Sequence, residues 1–148
     1  MKDFFATLFE YNHSINQQLV AVLINHPEQA SEKSIKLLSH ILNAHQIWNN
    51  RIEPREPLFS VWQMHTAAEC RQIDKTNFEH TLHILENTDI NSIIHIPKVR
   101  GRAFNKSIRD LFFHVINHAS YHRGQIATDF RQVGLEPLVS DYFLFEKP

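Results

Sequence analysis

Residues 111–126 read LFFHVINHASYHRGQI, and this stretch determines how the rest of the chain is interpreted. Apolar residues recur through it and beyond it at the spacing of one helix face, which predicts a long helix. We expect the helix to begin after Ser107, whose spacing from Asp110 resembles a capping box. We expect it to end at Val133, because Gly134 follows at the position where glycine commonly terminates a helix. The apolar stripe comprises Ile108, Leu111, Phe112, Val115, Ala119, Ile126, Phe130 and Val133.

Three more helices are predicted upstream from the same spacing and from the helix breakers between them. Helix one runs from about Asp3 to Asn25, helix two from about Ser31 to Ile52, and helix three from about Ser60 to Glu86. Residues 87–106 lack helical periodicity, and residues 93–97 form a candidate extended piece within them. We therefore predict an all-α four-helix bundle that occupies the whole 148-residue chain as one domain, with an irregular or short extended segment between helices three and four.

The composition excludes several classes of protein. Lys and Arg number 15 against 16 Asp and Glu, so the net charge of −1 lacks the basic excess of a nucleic-acid binder. The 3 glycines leave no P-loop or dinucleotide-binding motif. No segment approaches the roughly 20 apolar residues of a membrane span. The single cysteine, Cys70, cannot form an internal disulfide, so we expect a packed thiol and a cytoplasmic protein.

The 11 histidines are the main candidates for chemistry. On helix four, His114, His118 and His122 follow one another at intervals of four residues, which places neighbours on one face. A neighbouring pair can bind one ion, but His114 and His122 lie about 12 Å apart along the axis and cannot. His122 lies within the apolar stripe and His118 at its border, so this pair is the better placed to point into the bundle. Packed or solvated histidines are the alternative interpretation of the same spacing.

A third ligand has to come from another helix, because one helix face cannot enclose an ion. Helix two offers His40 and His45. Periodicity favours His45, which shares a stripe with Leu38 and Leu42, whereas His40 lies off that stripe. The pattern alone leaves both histidines open as ligands.

At these residues the sequence resembles the DinB/YfiT-like superfamily of metal-binding four-helix bundles. Residues 117–125, NHASYHRGQ, are similar to the family's NHxxxHRGQ signature. The order of the motifs and the length fit across essentially the whole chain. The supporting matches are His40 followed by Trp48 and Arg51 on helix two, and residues 134–137 leading to residues 140–142 in the tail.

The resemblance implies that His40, His118 and His122 bind one divalent transition metal ion and leave coordination positions open. Nickel or zinc is the expected ion, although imidazole ligands suit several metals. Many relatives carry an acidic residue at the position of His45, which makes His45 a candidate orienting residue, proton shuttle or alternative ligand. His114 is the second candidate of this kind. The candidates for lining the pocket are Trp48, Arg123 and Gln125.

The function that the resemblance implies is that of a metal-dependent enzyme. Its metal would activate a water or a low-molecular-weight thiol, as in a hydrolase or a thiol S-transferase. The alternative is a non-catalytic, stress-related metal-binding protein. We expect a small-molecule substrate, and neither nucleic acid nor membrane as a partner.

Gly124 predicts a homodimer. Glycine inside a helix costs about 1 kcal/mol relative to alanine, and Gly124 lies opposite the apolar stripe, together with the apolar Phe113. A partner chain that approaches this face closely would explain the glycine, and many relatives are dimers. The alternative is that Gly124 makes room for the tail that carries Tyr142 and Phe143. A small basic cluster, Lys98, Arg100, Arg102 and Lys106, is interpreted as a solvated loop, with attraction of an anionic substrate as the alternative.

Overall fold

Four long helices account for most of the computed structural model, which describes residues 1–147. A β-hairpin joins the third helix to the fourth, so the chain is mostly helical but not purely so. Within the described residues, no helix combines the length with the apolar character that crossing a membrane requires. The elements are α1 (Lys2–Asn25), α2 (Glu32–Ile52), α3 (Ala67–Asn87), β1 (Ile93–Val99), β2 (Arg102–Ser107), α4 (Ile108–Gln132) and a 3₁₀ turn (Tyr142–Leu144).

Local capping explains where the helices begin and end. The hydroxyl of Ser31 accepts a hydrogen bond from the backbone N–H of Ser34 at the start of α2, at 3.0 Å. Ser107 does the same for Asp110 at the start of α4, at 3.1 Å. Just beyond α4, Gly134 has a φ of +79°, the left-handed conformation that ends many helices. These boundaries agree with the prediction to within one or two residues.

The third helix begins later than predicted, at Ala67 instead of Ser60. A complete capping box fixes this start: Thr66 accepts from the N–H of Glu69 at 3.2 Å, and the Glu69 carboxylate accepts from the N–H of Thr66 at 2.7 Å. The signature Thr-x-x-Glu is visible in the sequence, and it marks the boundary that apolar spacing misplaced. Residues 53–66 consequently form a loop, which packs beside α2.

The segment between α3 and α4, predicted as irregular or short and extended, is a two-stranded antiparallel hairpin, so the four-helix fold is mostly helical instead of all-α. Ile93 pairs with Ser107, and Val99 pairs with Arg102 across a two-residue turn. Arg100 and Gly101 form that turn with φ values of 48° and 78°. Positive φ at both central residues is the pattern of a type I′ turn, whose twist matches that of the strands.

The helices enclose two apolar clusters with a polar layer between them. In the bundle α1 packs mainly on α3, while α2 packs on α4 and α3. One cluster centres on Phe9 and Phe112 and the other on Leu38 and Phe130. Each helix contributes buried polar side chains at the level between the clusters: Asn12 and Asn16 from α1, His45 and Asn49 from α2, Asp74, Asn77 and Thr81 from α3, and Arg123 from α4.

Gly124 lies on the exposed side of α4. A Cβ atom added there would meet no atom within 4 Å in the described part of the chain. The tail packs elsewhere, with the rings of Tyr142 and Phe145 5.3 Å and 5.7 Å from that of Tyr11. The suggestion that Gly124 makes room for the tail is therefore wrong.

Candidate metal centre

Three histidines from two helices converge at one edge of the bundle. His118 and His122 lie one turn apart on α4, and His40 faces them from α2. The Nε2 atom of His118 lies 3.0 Å from that of His40 and 3.1 Å from that of His122. One ligand atom from each of the three rings falls within 4.8 Å of the other two, so the group could hold a metal ion.

Hydrogen bonds to the far side of two rings aim their Nε2 atoms at the centre. Nδ1 of His40 donates to the backbone carbonyl of Val61 at 3.0 Å. Nδ1 of His122 donates to the side-chain oxygen of Gln125 at 2.7 Å. Because a neutral imidazole carries one proton, Nε2 of both rings presents a bare lone pair. Such outer hydrogen bonds are the usual way in which metal-binding histidines are oriented.

The donor set fits a metal ion better than it fits a hydrogen-bonded cluster. His118 has at most one hydrogen on Nε2, and Nε2 has two close neighbours. In at least one of these contacts, two nitrogen lone pairs therefore face each other with no proton between them. Ligands of a tetrahedral ion with metal–nitrogen bonds of about 2.0–2.1 Å lie about 3.3 Å apart. The observed separations of 3.0 Å and 3.1 Å are close to this value.

Burial keeps the imidazoles of His118 and His40 neutral. It lowers the pKa of His118 to about 3, with further lowering from the neighbouring His122, His40 and His114. Burial also lowers the pKa of His40, against the raising effect of its bond to Val61. Neutral imidazole is the form that binds transition metals.

The cluster opens into a cavity of about 580 Å³. Trp62 forms part of its wall and stacks on the His40 ring, with centroids 3.7 Å apart and planes within 8°. The range predicted for helix three includes Trp62, but in the structure the loop at residues 53–66 brings it to the site. The cavity is lined by His40, Ala44, Ile47, Trp48, Arg51, Val61, Trp62, Val99, Arg100, His114, His118, Tyr121 and His122.

The other two candidate histidines occupy different environments. His45 lies in the buried polar layer, where its Nε2 donates to the Thr81 hydroxyl at 2.8 Å and its ring stacks on Phe9. Burial lowers its pKa to about 4. His45 is therefore not brought to the cluster. His114 does line the cavity, with its ring centroid 5.3 Å from Trp48 and 5.7 Å from His118.

Of the three residues predicted to line the pocket, two act at the cavity and one does not. Trp48 lines the cavity, and Gln125 acts on it indirectly by holding His122. Arg123 points away from it, which corrects that candidate. Its buried guanidinium donates from Nη1 to the side-chain oxygens of Asn12 at 2.6 Å and Asn16 at 3.1 Å, and so ties α4 to α1.

Two comparisons with known proteins cover nearly all of the sequence. Protein DinB of Bacillus subtilis (strain 168) is 24% identical in an alignment 163 residues long, which covers 98% of this chain and 95% of that relative. The model of the DinB family matches residues 1–148. The resemblance predicted from the NHxxxHRGQ pattern is thus confirmed, and the chain belongs to the DinB family.

Proposed function

We propose that this protein is a metal-dependent enzyme in which His40, His118 and His122 hold one divalent transition ion, nickel or zinc. When bound, the ion would activate a water or a low-molecular-weight thiol, which corresponds to hydrolase or thiol S-transferase chemistry. The observation that carries the proposal is the convergence of three imidazoles, two of them oriented by hydrogen bonds, at the mouth of a 580 Å³ cavity. Structural zinc sites usually have four protein ligands and are closed, whereas catalytic sites keep a position open.

The surrounding residues contribute orientation and proton transfer. Val61 and Gln125 hold the outer nitrogens of two ligands, so these rings need no rearrangement when the ion binds. His114 lies on the same cavity wall, and burial lowers its pKa, so it is neutral at pH 7. A neutral imidazole can accept the proton that a water or thiol releases. His114 is our candidate for this proton acceptor.

Metal content tests the ligand assignment directly. Protein purified without a histidine tag should contain about one equivalent of metal, and His118→Ala and His122→Ala should lose it. The exposed His26 supplies a matched control, and His26→Ala should keep the metal. Unchanged metal content in both α4 variants would contradict the proposal. Loss of metal in His45→Ala but not in His40→Ala would show that the helix-two ligand is misassigned.

Activity requires a separate test. The metal-loaded protein should conjugate model electrophiles with members of a panel of small thiols, or hydrolyse members of an ester and amide panel. The His118→Ala variant is the control for metal-independent background. No activity in either panel with metal bound would contradict the enzyme proposal and favour a non-catalytic metal-binding protein.

We also propose a homodimer formed through the outer face of α4. Gly124 leaves an open, shallow surface there, and Phe113 on the same helix is 60% exposed. A two-fold axis is the commonest way in which a soluble chain covers such a face. Light scattering should give twice the 17.4 kDa of the chain, and a mass near 17.4 kDa would contradict the dimer.

A further inference from the structure

Two arginines line the cavity beyond the histidine cluster. Arg51 reaches it from the last turn of α2, and Arg100 reaches it from the turn of the hairpin. Within residues 1–147, neither guanidinium forms an ion pair. The described lining contains no acidic residue that could neutralise them. The cavity is therefore positively charged before any metal binds.

This local charge contrasts with the chain as a whole, whose net charge is −1. A bound divalent cation would add to the positive charge. Clefts lined by one sign of charge with low-dielectric walls concentrate ligands of the opposite sign. The walls here are largely aromatic and aliphatic, so the ligand also needs an apolar body.

The arginine on α2 is held in place by an aromatic ring. The guanidinium carbon of Arg51 lies 4.7 Å from the centre of the Trp48 ring, a cation–π contact. This contact restrains the side chain and leaves its N–H groups free for a ligand. The planar, multiple-donor guanidinium matches the paired oxygens of a carboxylate or phosphate.

We propose that the cavity binds a small organic anion. Arg51 and Arg100 bind its carboxylate, sulfonate or phosphate group, and its apolar or aromatic body packs on Trp48 and Trp62. As a statement about the substrate, this inference rests on the proposed function, since it assigns the substrate class of the same site. As a statement about binding, it needs no metal.

Intrinsic fluorescence provides a direct assay, because the 2 tryptophans of the sequence, Trp48 and Trp62, both line the cavity. Phenylacetate is the test ligand, and phenylacetamide is its neutral counterpart of nearly the same shape. The titrations use metal-free protein at low ionic strength, since a metal could itself bind the carboxylate. We expect phenylacetate to bind about 100-fold more tightly than phenylacetamide, about tenfold for each of the two guanidinium contacts.

Each arginine has a control of the same charge. Arg51→Gln and Arg100→Gln should each weaken phenylacetate binding about tenfold and leave phenylacetamide binding unchanged. Arg55→Gln removes a charge that already pairs with Glu53, and Arg102→Gln removes one that packs over Phe104 outside the cavity. Both control variants should bind phenylacetate like the unmodified protein.

Equal affinity for the acid and the amide would overturn the proposal. So would a loss of phenylacetate binding in the control variants as large as that in the cavity variants. Phenyl phosphate, titrated in parallel, distinguishes the two anion chemistries: tighter binding than phenylacetate assigns a phosphate ester, and weaker binding assigns a carboxylate. The metal content of all four variants is measured separately and should equal that of the unmodified protein. A failure of metal binding is thereby distinguished from a failure of anion binding.

Discussion

Replacing His45 with leucine is expected to make the folded protein less sensitive to acid. This imidazole is buried in the polar layer, and burial lowers its pKa from 6.5 to about 4. The nearby carboxylate of Asp74 opposes that shift but does not cancel it. Nδ1 of His45 is buried without a hydrogen-bond partner in the described part of the chain. A proton added to Nδ1 would therefore have no acceptor for a hydrogen bond.

The sign and size of the effect follow from proton linkage. Below pH 6.5 the unfolded chain binds a proton at His45, whereas the folded chain does not until the pH approaches 4. The stability associated with His45 is therefore complete above pH 6.5 and is lost as the pH falls toward 4. With about 1.4 kcal/mol for each pH unit between the two pKa values, the loss is about 2 kcal/mol at pH 5 and about 3 kcal/mol at its limit.

Urea unfolding of the metal-free protein at pH 8, 7, 6 and 5 measures this loss. His40, His65, His114 and His118 also have lowered pKa values, so the unmodified protein loses stability from several sources. His45→Leu removes one of them and should lose about 2 kcal/mol less between pH 8 and pH 5, a relative shift of about 1 M in the urea midpoint.

The control is His26→Leu, which removes an exposed imidazole. The reasoning is refuted if His45→Leu loses as much stability between pH 8 and pH 5 as the unmodified protein does. The comparison rests on the pH dependence alone, so any constant cost of the smaller side chain cancels.

Three further predictions follow from contacts described above. Gln125→Leu removes the acceptor for Nδ1 of His122 and should weaken metal affinity by about 10- to 100-fold in a competition titration; an unchanged affinity would show that the bond does not orient the ring. Arg123→Leu leaves the buried Asn12 and Asn16 oxygens without their donor and should lower the free energy of unfolding by about 2–4 kcal/mol in urea. A loss below about 1 kcal/mol would mean that water or rearrangement replaces the guanidinium. Gly124→Leu should shift the dimer toward monomer in light scattering while metal content stays constant, and a variant that remains dimeric would place the interface elsewhere.

The α4 half of the site was predictable because it lies within one helix. Once residues 111–126 are read as a helix, spacing alone puts His118 and His122 on one face. The family resemblance, through His40, Trp48 and Arg51 on helix two, then added His40 from a second helix. The first step depends on regular local geometry, which a sequence pattern encodes well, whereas the second depends on the family pattern.

Periodicity favoured the histidine of α2 that does not join the three-histidine cluster, and the reason is physical. It predicts burial, and it predicted correctly that His45 faces the interior, where the side chain is 2% exposed. The three-histidine cluster lies at the edge of the bundle and opens into a cavity, so a ligand there need not lie on the core stripe. His40 fits that edge position, and only the family pattern identified it.

The remaining parts of the site come from loops, which no apolar period describes. Val61 and Trp62 fall within the range that apolar spacing predicts for helix three, but the Thr66–Glu69 capping box excludes them from the helix. Arg100 reaches the cavity only because residues 93–107 pair as a hairpin. The position of Arg100 in the cavity depends on the tertiary structure, which the residues next to Arg100 in the sequence do not indicate.

The buried polar layer gives the four helices a fixed register. Sliding one helix by a turn, about 5.4 Å, would move its asparagine, aspartate or arginine side chains against an apolar cluster and break their hydrogen bonds. Apolar contacts alone discriminate weakly between such offsets, because aliphatic side chains of similar volume replace one another with little cost. His40 lies on α2 and its two partners lie on α4, so the 3.0 Å approach of His118 to His40 is only as accurate as the alignment of these helices. The same side chains that interrupt the hydrophobic core thereby fix the positions of the three imidazoles, without touching them.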